Sequence, residues 1–273
     1  MHSFLLSYKS SQVGYYKFGS GPKTAFCFHG YGEQSSSFFF LEEYAGDQYT
    51  FFAIDLPFHG STRWKEGLVF SKNDLTNIIH LVLEEYGIRK YDQNITLISF
   101  SLGGRIALCF FQSQPQEVEK IILLAPDGLK MNFWYWLATQ TMAGNKFFAF
   151  TMKHPGWFFG FLNVLNKLKL VNASIYKFVN YYINEPQVRN ELYKRWTSLR
   201  KLKPNLSTIK ILIKQHKVQV RLLYGKHDRI ILPARGKKFC KDIEEFCVIS
   251  VIPSGHQVLH EKHIHDILPA LLN

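Results

Sequence analysis

The stretch Ile95-Thr96-Leu97-Ile98-Ser99-Phe100-Ser101-Leu102-Gly103-Gly104-Arg105-Ile106-Ala107-Leu108 decides how this chain folds. It opens on an apolar run of strand type, and from Gly104 to Phe110 the apolar spacing is helical. Between the two, Ser101 has a tiny residue two positions away on each side, Ser99 and Gly103. A strand that turns at once into a helix brings two backbones together, which only small side chains at those positions permit. The residue at the apex is held in a strained conformation and carried outward. A serine so placed reads as a nucleophile elbow of the pattern G-x-S-x-G, with Ser99 standing for the first glycine. The bland alternative is an ordinary strand-to-helix turn that happens to carry a serine. Partners elsewhere in the chain decide between them.

Those partners occur in order. The strand-like Thr24–Phe28 runs into His29-Gly30-Tyr31-Gly32. Val218–Tyr224 reads as a strand and leads into Gly225-Lys226-His227-Asp228; Val248–Ile252 is another, followed by Pro253-Ser254-Gly255-His256. A glycine-bearing loop, Ser101, Asp228 and His256 thus follow one another, each just after a strand. This order resembles the α/β-hydrolase fold family, in its serine-nucleophile, esterase- and lipase-like branch, and the resemblance covers essentially the whole chain.

The remaining elements fit an α/β fold: a mostly parallel central sheet with helices on both faces, plus an inserted helical cap. Residues 3–9 and 13–18 read as an antiparallel pair joined near Ser10-Ser11-Gln12, residues 34–45 as a helix and Tyr49–Ile54 as a strand. Ile78–Tyr86 is helical, with Ser71 or Asn73 as its cap, and Lys120–Ala125 is a short buried strand. From Pro126 about ninety residues show no strand signal. Family members carry their cap at this point, so the expected divisions are core 1–126, cap 127–205 and core 206–273.

Charge is concentrated in the insertion. Residues 127–217 hold 15 Lys and Arg against 3 Asp and Glu, so the whole +12 lies there and the rest of the chain is balanced. The same segment carries Phe133-Trp134-Tyr135-Trp136, Phe147-Phe148-Ala149-Phe150 and Trp157-Phe158-Phe159-Gly160-Phe161. Three readings stand: aromatics packing against the core under a solvated lysine face, an anionic substrate drawn to the cap, or peripheral contact of the cap with an anionic membrane. No nucleic-acid motif accompanies the charge, so nucleic acid is not an expected partner. No apolar run approaches the roughly 20 residues of a bilayer span. The first residues lack the basic and apolar regions of a signal peptide. Cys27, Cys109, Cys240 and Cys247 lack metal-ligand spacing, and free buried thiols in a cytoplasmic protein are the expectation.

A serine hydroxyl is a weak nucleophile until a base lies within hydrogen-bond reach. His256 suits that task, and Asp228 would orient its ring and stabilise the imidazolium. The fold implies that the Leu102 backbone N–H forms one half of an oxyanion hole, and resemblance to relatives with a His-Gly-aromatic-Gly loop implies Tyr31 for the other. Some relatives place the acid directly after the Lys120–Ala125 strand. Asp127 stands there but reads as the cap of the first inserted helix, while Asp228 has as its bland alternative a turn aspartate before the helix at Pro233. His29 and His59, the latter in Asp55-Leu56-Pro57-Phe58-His59-Gly60-Ser61, read as structural. Phe58 there replaces a glycine of the family's turn. His260, His263 and His265 read as a solvated helix surface, not a metal site.

The implied function is a serine hydrolase that cleaves a carboxylic ester with an apolar or aromatic acyl group, needing no cofactor or metal, on a small-molecule ester or thioester substrate. The alternatives are an acyl-thioester hydrolase or acyltransferase acting on an anionic acyl carrier, and a non-catalytic ligand-binding protein of the same fold. Ser101 excludes the relatives that use an aspartate nucleophile. Leu102 and the acid-poor insertion argue against aminopeptidases, whose elbow carries a tryptophan after the serine.

Overall fold

The computed structural model describes residues 2–88, 94–168, 176 and 183–272. Eight strands form one sheet: β1 (His2–Tyr8), β2 (Ser11–Phe18), β3 (Lys23–Phe28), β4 (Tyr49–Ile54), β5 (Ile95–Phe100), β6 (Val118–Leu124), β7 (Gln219–Gly225) and β8 (Cys247–Ile252). Their spatial order is β1-β2-β4-β3-β5-β6-β7-β8. The β1–β2 and β2–β4 pairs are antiparallel, and every pair from β4–β3 to β7–β8 is parallel. The centre of the sheet is buried: all six residues of β5, Thr96 and Ser99 included, are covered, as expected for a parallel strand with both faces packed. Tyr8 pairs with Ser11, so the first hairpin turns at Lys9-Ser10, a position earlier than the sequence suggests.

One expectation for the N-terminal half changes. Residues 34–45 are not one helix: a 3₁₀ turn at Ser35–Phe38 precedes the short α1 (Leu41–Ala45). The Ser35 N–H and hydroxyl both donate to Asp55 Oδ1, at 2.8 and 2.7 Å, and these bonds pin the segment start to the end of β4. The next helix is α2 (Lys72–Glu85), whose start fits the first of the two expected caps. Ser71 is its cap, in a reciprocal capping box with Asp74. Helix α3 (Leu102–Ser113) follows the elbow.

The chain divides into two compact units, one of Met1–Glu66, Phe70–Lys130 and Lys201–Asn273, the other of Gly67–Val69 and Met131–Arg200. The first contains the sheet together with α8 (Leu206–His216), α9 (Pro233–Cys240) and α10 (Ile264–Leu272). The second is helical: α4 (Phe133–Gln140), α5 (Met142–Lys153), α6 (Gly156–Lys167) and α7 (Pro186–Ser198). Part of the expected insertion, residues 169–175 and 177–182, lies outside the described residues. Within the second unit Trp196 packs on Tyr135 and Phe148, and Arg200 donates to Asn145 Oδ1 at 3.0 Å. Helix α4 is capped by Asn132, which accepts from the Trp134 N–H, and not by Asp127 as the sequence suggested.

The expectation of four free thiols is also corrected. Cys240 ends α9 and Cys247 starts β8, and this tight return brings their Cα atoms to 5.4 Å in a disulfide. Cys27 and Cys109 are free and buried. No described helix is long and apolar enough to cross a membrane.

Candidate active site

Four parallel strands of the first unit end on the same edge of the sheet, where ligand sites of open α/β sheets form. Phe28 at the end of β3 pairs with Ser99 of β5, and Gly225 at the end of β7 pairs with Ile252 of β8. The loops leaving these ends carry Tyr31, Ser101, Asp228 and His256.

Ser101 has φ 48° and ψ −113°, a conformation costly for any residue with a side chain. The surroundings over-determine it. Its N–H donates to Leu124 O at 2.9 Å, and its carbonyl accepts from Gly104 N at 3.0 Å and Asp127 N at 2.7 Å. Gly103 is required by contact: a Cβ there would lie 1.9 Å from Phe28 O. At the other small position Ser99 is fully buried and donates to Ile122 O at 3.3 Å. The substitution of serine for glycine is accommodated because the hydroxyl has a partner.

The Ser101 hydroxyl donates to His256 Nε2 at 2.9 Å, and His256 Nδ1–H donates to Asp228 Oδ2 at 2.8 Å. The carboxylate fixes the ring tautomer that leaves Nε2 as the acceptor. Asp228 is itself locked, because Oδ1 accepts from the Ile230 and Ile231 N–H groups at 2.7 and 2.9 Å, which leaves Oδ2 facing the ring. The aspartate therefore shapes its own turn and holds the histidine with separate oxygens. The acid and base loops are joined by His227 N–H to Ser254 O at 2.9 Å, and Gly225 lets them meet: a Cβ there would lie 1.9 Å from Gly255 O. Asp127 pairs instead with Arg105 and accepts from Gly128 N–H.

The loop after β3 is built on His29, which is fully buried. Leu56 N–H donates to its Nε2 at 3.0 Å, so its Nδ1–H donates to Gly30 O at 2.8 Å. The loop bends through Gly32 at φ +75°. Leu102 opens α3, whose first backbone N–H groups have no partner within the helix. His59 bonds Pro57 O at 3.0 Å, and Asp55 gathers Ser35 and Ser61 about its carboxylate. Phe58 has φ 64°, which accounts for the glycine at this position in the family's turn.

Sequence reasoning missed three residues that brace the site. Gln257, beside the histidine, donates to Glu33 Oε1 at 3.0 Å and so ties the β3 loop to the His256 loop across 224 positions. His263 is half-buried and bonds Ser254 Oγ at 3.0 Å, so it does not belong to a solvated surface; burial and then Lys262 lower its pKa. His260 caps the turn at Glu261–His263, and His265 is exposed. Among the described residues no cluster of three His, Cys, Asp or Glu could hold a metal ion.

Residues 22–263 match the family described as serine aminopeptidase, S33. The uncharacterized hydrolase YugF of Bacillus subtilis (strain 168) is 23% identical over 256 residues, covering 91% of this chain and 90% of that protein. The pimeloyl-(acyl-carrier protein) methyl ester esterase of Aeromonas salmonicida (strain A449) is 26% identical over 130 residues, 47% of this chain and 48% of its own. Among solved structures, a carboxylesterase of the ammonia-oxidizing thaumarchaeon Nitrososphaera gargenis superposes with a TM-score of 0.65 at 18% identity, covering 98% of this chain and 97% of that one.

Proposed function

Because the chain belongs to the serine aminopeptidase S33 family of α/β hydrolases, we propose that it is a serine hydrolase cleaving carboxylic esters of apolar or aromatic acyl groups through an acyl-serine. The observation that carries this reading is the unbroken hydrogen-bonded line from Ser101 through His256 to Asp228, at 2.9 and 2.8 Å. In the first step Ser101 Oγ bonds to the ester carbonyl carbon as its proton passes to His256 Nε2. Asp228 stabilises the imidazolium so formed. The carbonyl oxygen, now carrying negative charge, accepts from the Tyr31 and Leu102 backbone N–H groups, each donor worth about 2.7–4 kcal/mol of the barrier. The carbon–oxygen bond to the alcohol then breaks, and the alcohol leaves with the imidazolium proton. In the second step a water gives its proton to His256 and bonds to the acyl carbon. Collapse releases the acid and returns the proton to Ser101.

The aligned Aeromonas relative, by its name, is an esterase, which supports the ester assignment. In this reading the segment inserted after β6 is the family's cap. Its excess of positive charge also favours a second substrate class, thioesters on an anionic acyl carrier. Steady-state hydrolysis of p-nitrophenyl esters of rising chain length, set beside acyl-CoA thioesters, separates the two. Turnover of the esters that Ser101→Ala abolishes supports the first, and a higher kcat/KM on the CoA thioesters moves the assignment to the second. Folded protein that hydrolyses neither class contradicts both.

A further inference from the structure

The helical unit leaves an unusual amount of apolar surface in water. Met142 is 80% exposed, Trp134 70% and Phe147 57%, and Phe133, Phe150 and Phe161 are each more than half exposed. The bland reading, in which the aromatics fill the interior, holds for Tyr135, Phe148 and Trp196, which pack on one another. It fails for the exposed rings just named. On α5 the outward residues are Met142, Ala143, Lys146, Phe147, Phe150 and Lys153, one continuous helical face that His154 at the C-cap prolongs, while Thr151 and Met152 are buried. Phe147 meets Trp157 of α6 with ring centroids 5.1 Å apart, so the exposed apolar surface runs from one helix to the next. Phe133 likewise touches Trp134 and Trp136 on α4.

The charge on these helices has one sign. From residue 128 to residue 184 the sequence contains no Asp or Glu, and Lys146, Lys153 and Lys167 are all exposed among the aromatics. The acids of the unit, Glu185 and Glu191, belong to the start and body of α7, and Glu191 is paired with Arg195. Exposed apolar patches of this breadth mark a surface with a partner. Tryptophan and phenylalanine interleaved with lysine, with no carboxylate among them, match the boundary of an anionic bilayer. There the rings enter the acyl–headgroup region and the ammonium groups meet lipid phosphates. The polar side chains of α4–α6 include no carboxylate, so a protein partner would find no acidic group there to pair with and fix its register.

We propose that α4, α5 and α6 form a peripheral docking face for anionic phospholipid membrane, a property separate from the chemistry at Ser101. The test is co-sedimentation of the full chain with vesicles of equal parts phosphatidylglycerol and phosphatidylcholine, against vesicles of phosphatidylcholine alone. The expected result is binding to the mixed vesicles, weakening as salt rises from about 0.1 M to about 1 M and the Debye length shrinks from about 10 to about 3 Å. The double variant Trp134→Ala/Phe147→Ala should bind on the order of a hundredfold more weakly, two ring burials being lost. Lys146→Glu/Lys153→Glu should lose the preference for anionic lipid, and Ile211→Ala, an exposed apolar residue of the other unit, should change nothing. All these side chains are exposed, so the variants should keep the wild-type melting temperature. Equal binding to both vesicle types, or none to either, overturns the proposal. So does a concentration-dependent dimer in sedimentation velocity that the Trp134→Ala/Phe147→Ala change dissolves, which would assign the face to a second copy.

Discussion

Replacing Gly103 by alanine tests whether the closeness of α3 to β3 sets the reactivity of the site. The added Cβ would stand 1.9 Å from Phe28 O, 2.6 Å from Phe28 C and 3.0 Å from His29 O, all backbone atoms that cannot swing away. Ordinary carbon–oxygen contact begins at about 3.3 Å, so helix and strand must separate by about 1.4 Å. Phe28 leads directly into the His29–Gly32 loop, and Gly103 is two residues after Ser101. The displacement therefore moves the two proposed oxyanion donors, Tyr31 and Leu102, apart. A misplacement of about 1 Å costs about a hundredfold in rate, and loss of one donor outright up to about a thousandfold. Overpacking costs a further 1–3 kcal/mol, roughly, in stability. Gly160→Ala in α6 is the matched control, since a Cβ there meets nothing within 4 Å. It should raise stability by about 0.5–1 kcal/mol and leave the rate alone. Ester hydrolysis at saturating substrate, with a thermal melt of each variant, provides both readouts. A Gly103→Ala protein with wild-type kcat and melting temperature would refute the reasoning.

Other expectations follow from particular groups. Asp228→Asn should lower kcat by about ten-thousandfold without unfolding the protein. An amide presented to Nδ1 reverses the ring tautomer, whereas Oδ1 can still accept from Ile230 and Ile231. Burial works to raise the pKa of Asp74, but hydrogen bonds from Lys9, Ser71 and Tyr8 outweigh it and carry the pKa down to about 2. Its contribution, about 1–2 kcal/mol, is complete above the unfolded value of 3.8 and is lost as pH falls through about 2. The acid limb of a denaturation series should therefore flatten in Asp74→Asn. Titration of thiols in denatured, unreduced protein should find the two of Cys27 and Cys109, and four after reduction. In the folded protein those two should resist alkylation, because both are buried and burial pushes the Cys109 thiol up to about 12.

What was legible in the sequence was local. The elbow could be read because its steric demand falls on residues within two positions of Ser101, and β5 because four of its six residues are apolar. The choice of Asp228 over Asp127 rested on motif context, and in the structure Asp228 is the one that reaches His256 while Asp127 turns to Arg105. What escaped notice depends on distant partners or on closure of the chain. Glu33 and Gln257 meet only because two strand ends are neighbours, and the Cys240–Cys247 bond forms only because α9 returns tightly into β8. Residues 34–45 have the composition of a helix, yet Ser35 answers to Asp55, twenty positions later. The aromatic insertion had three readings from composition alone. Exposure side chain by side chain was needed to separate the rings that pack inward from those that face water.

The central claim is that Ser101 is an activated nucleophile. Labelling with a fluorophosphonate tests it directly, because only a serine with a working base displaces the fluoride. Wild type should label rapidly and carry the adduct on Ser101, Ser101→Ala should not label, and His256→Ala and Asp228→Asn should label far more slowly. Folded wild-type protein that stays unlabelled, or a label on any other residue, would contradict the account.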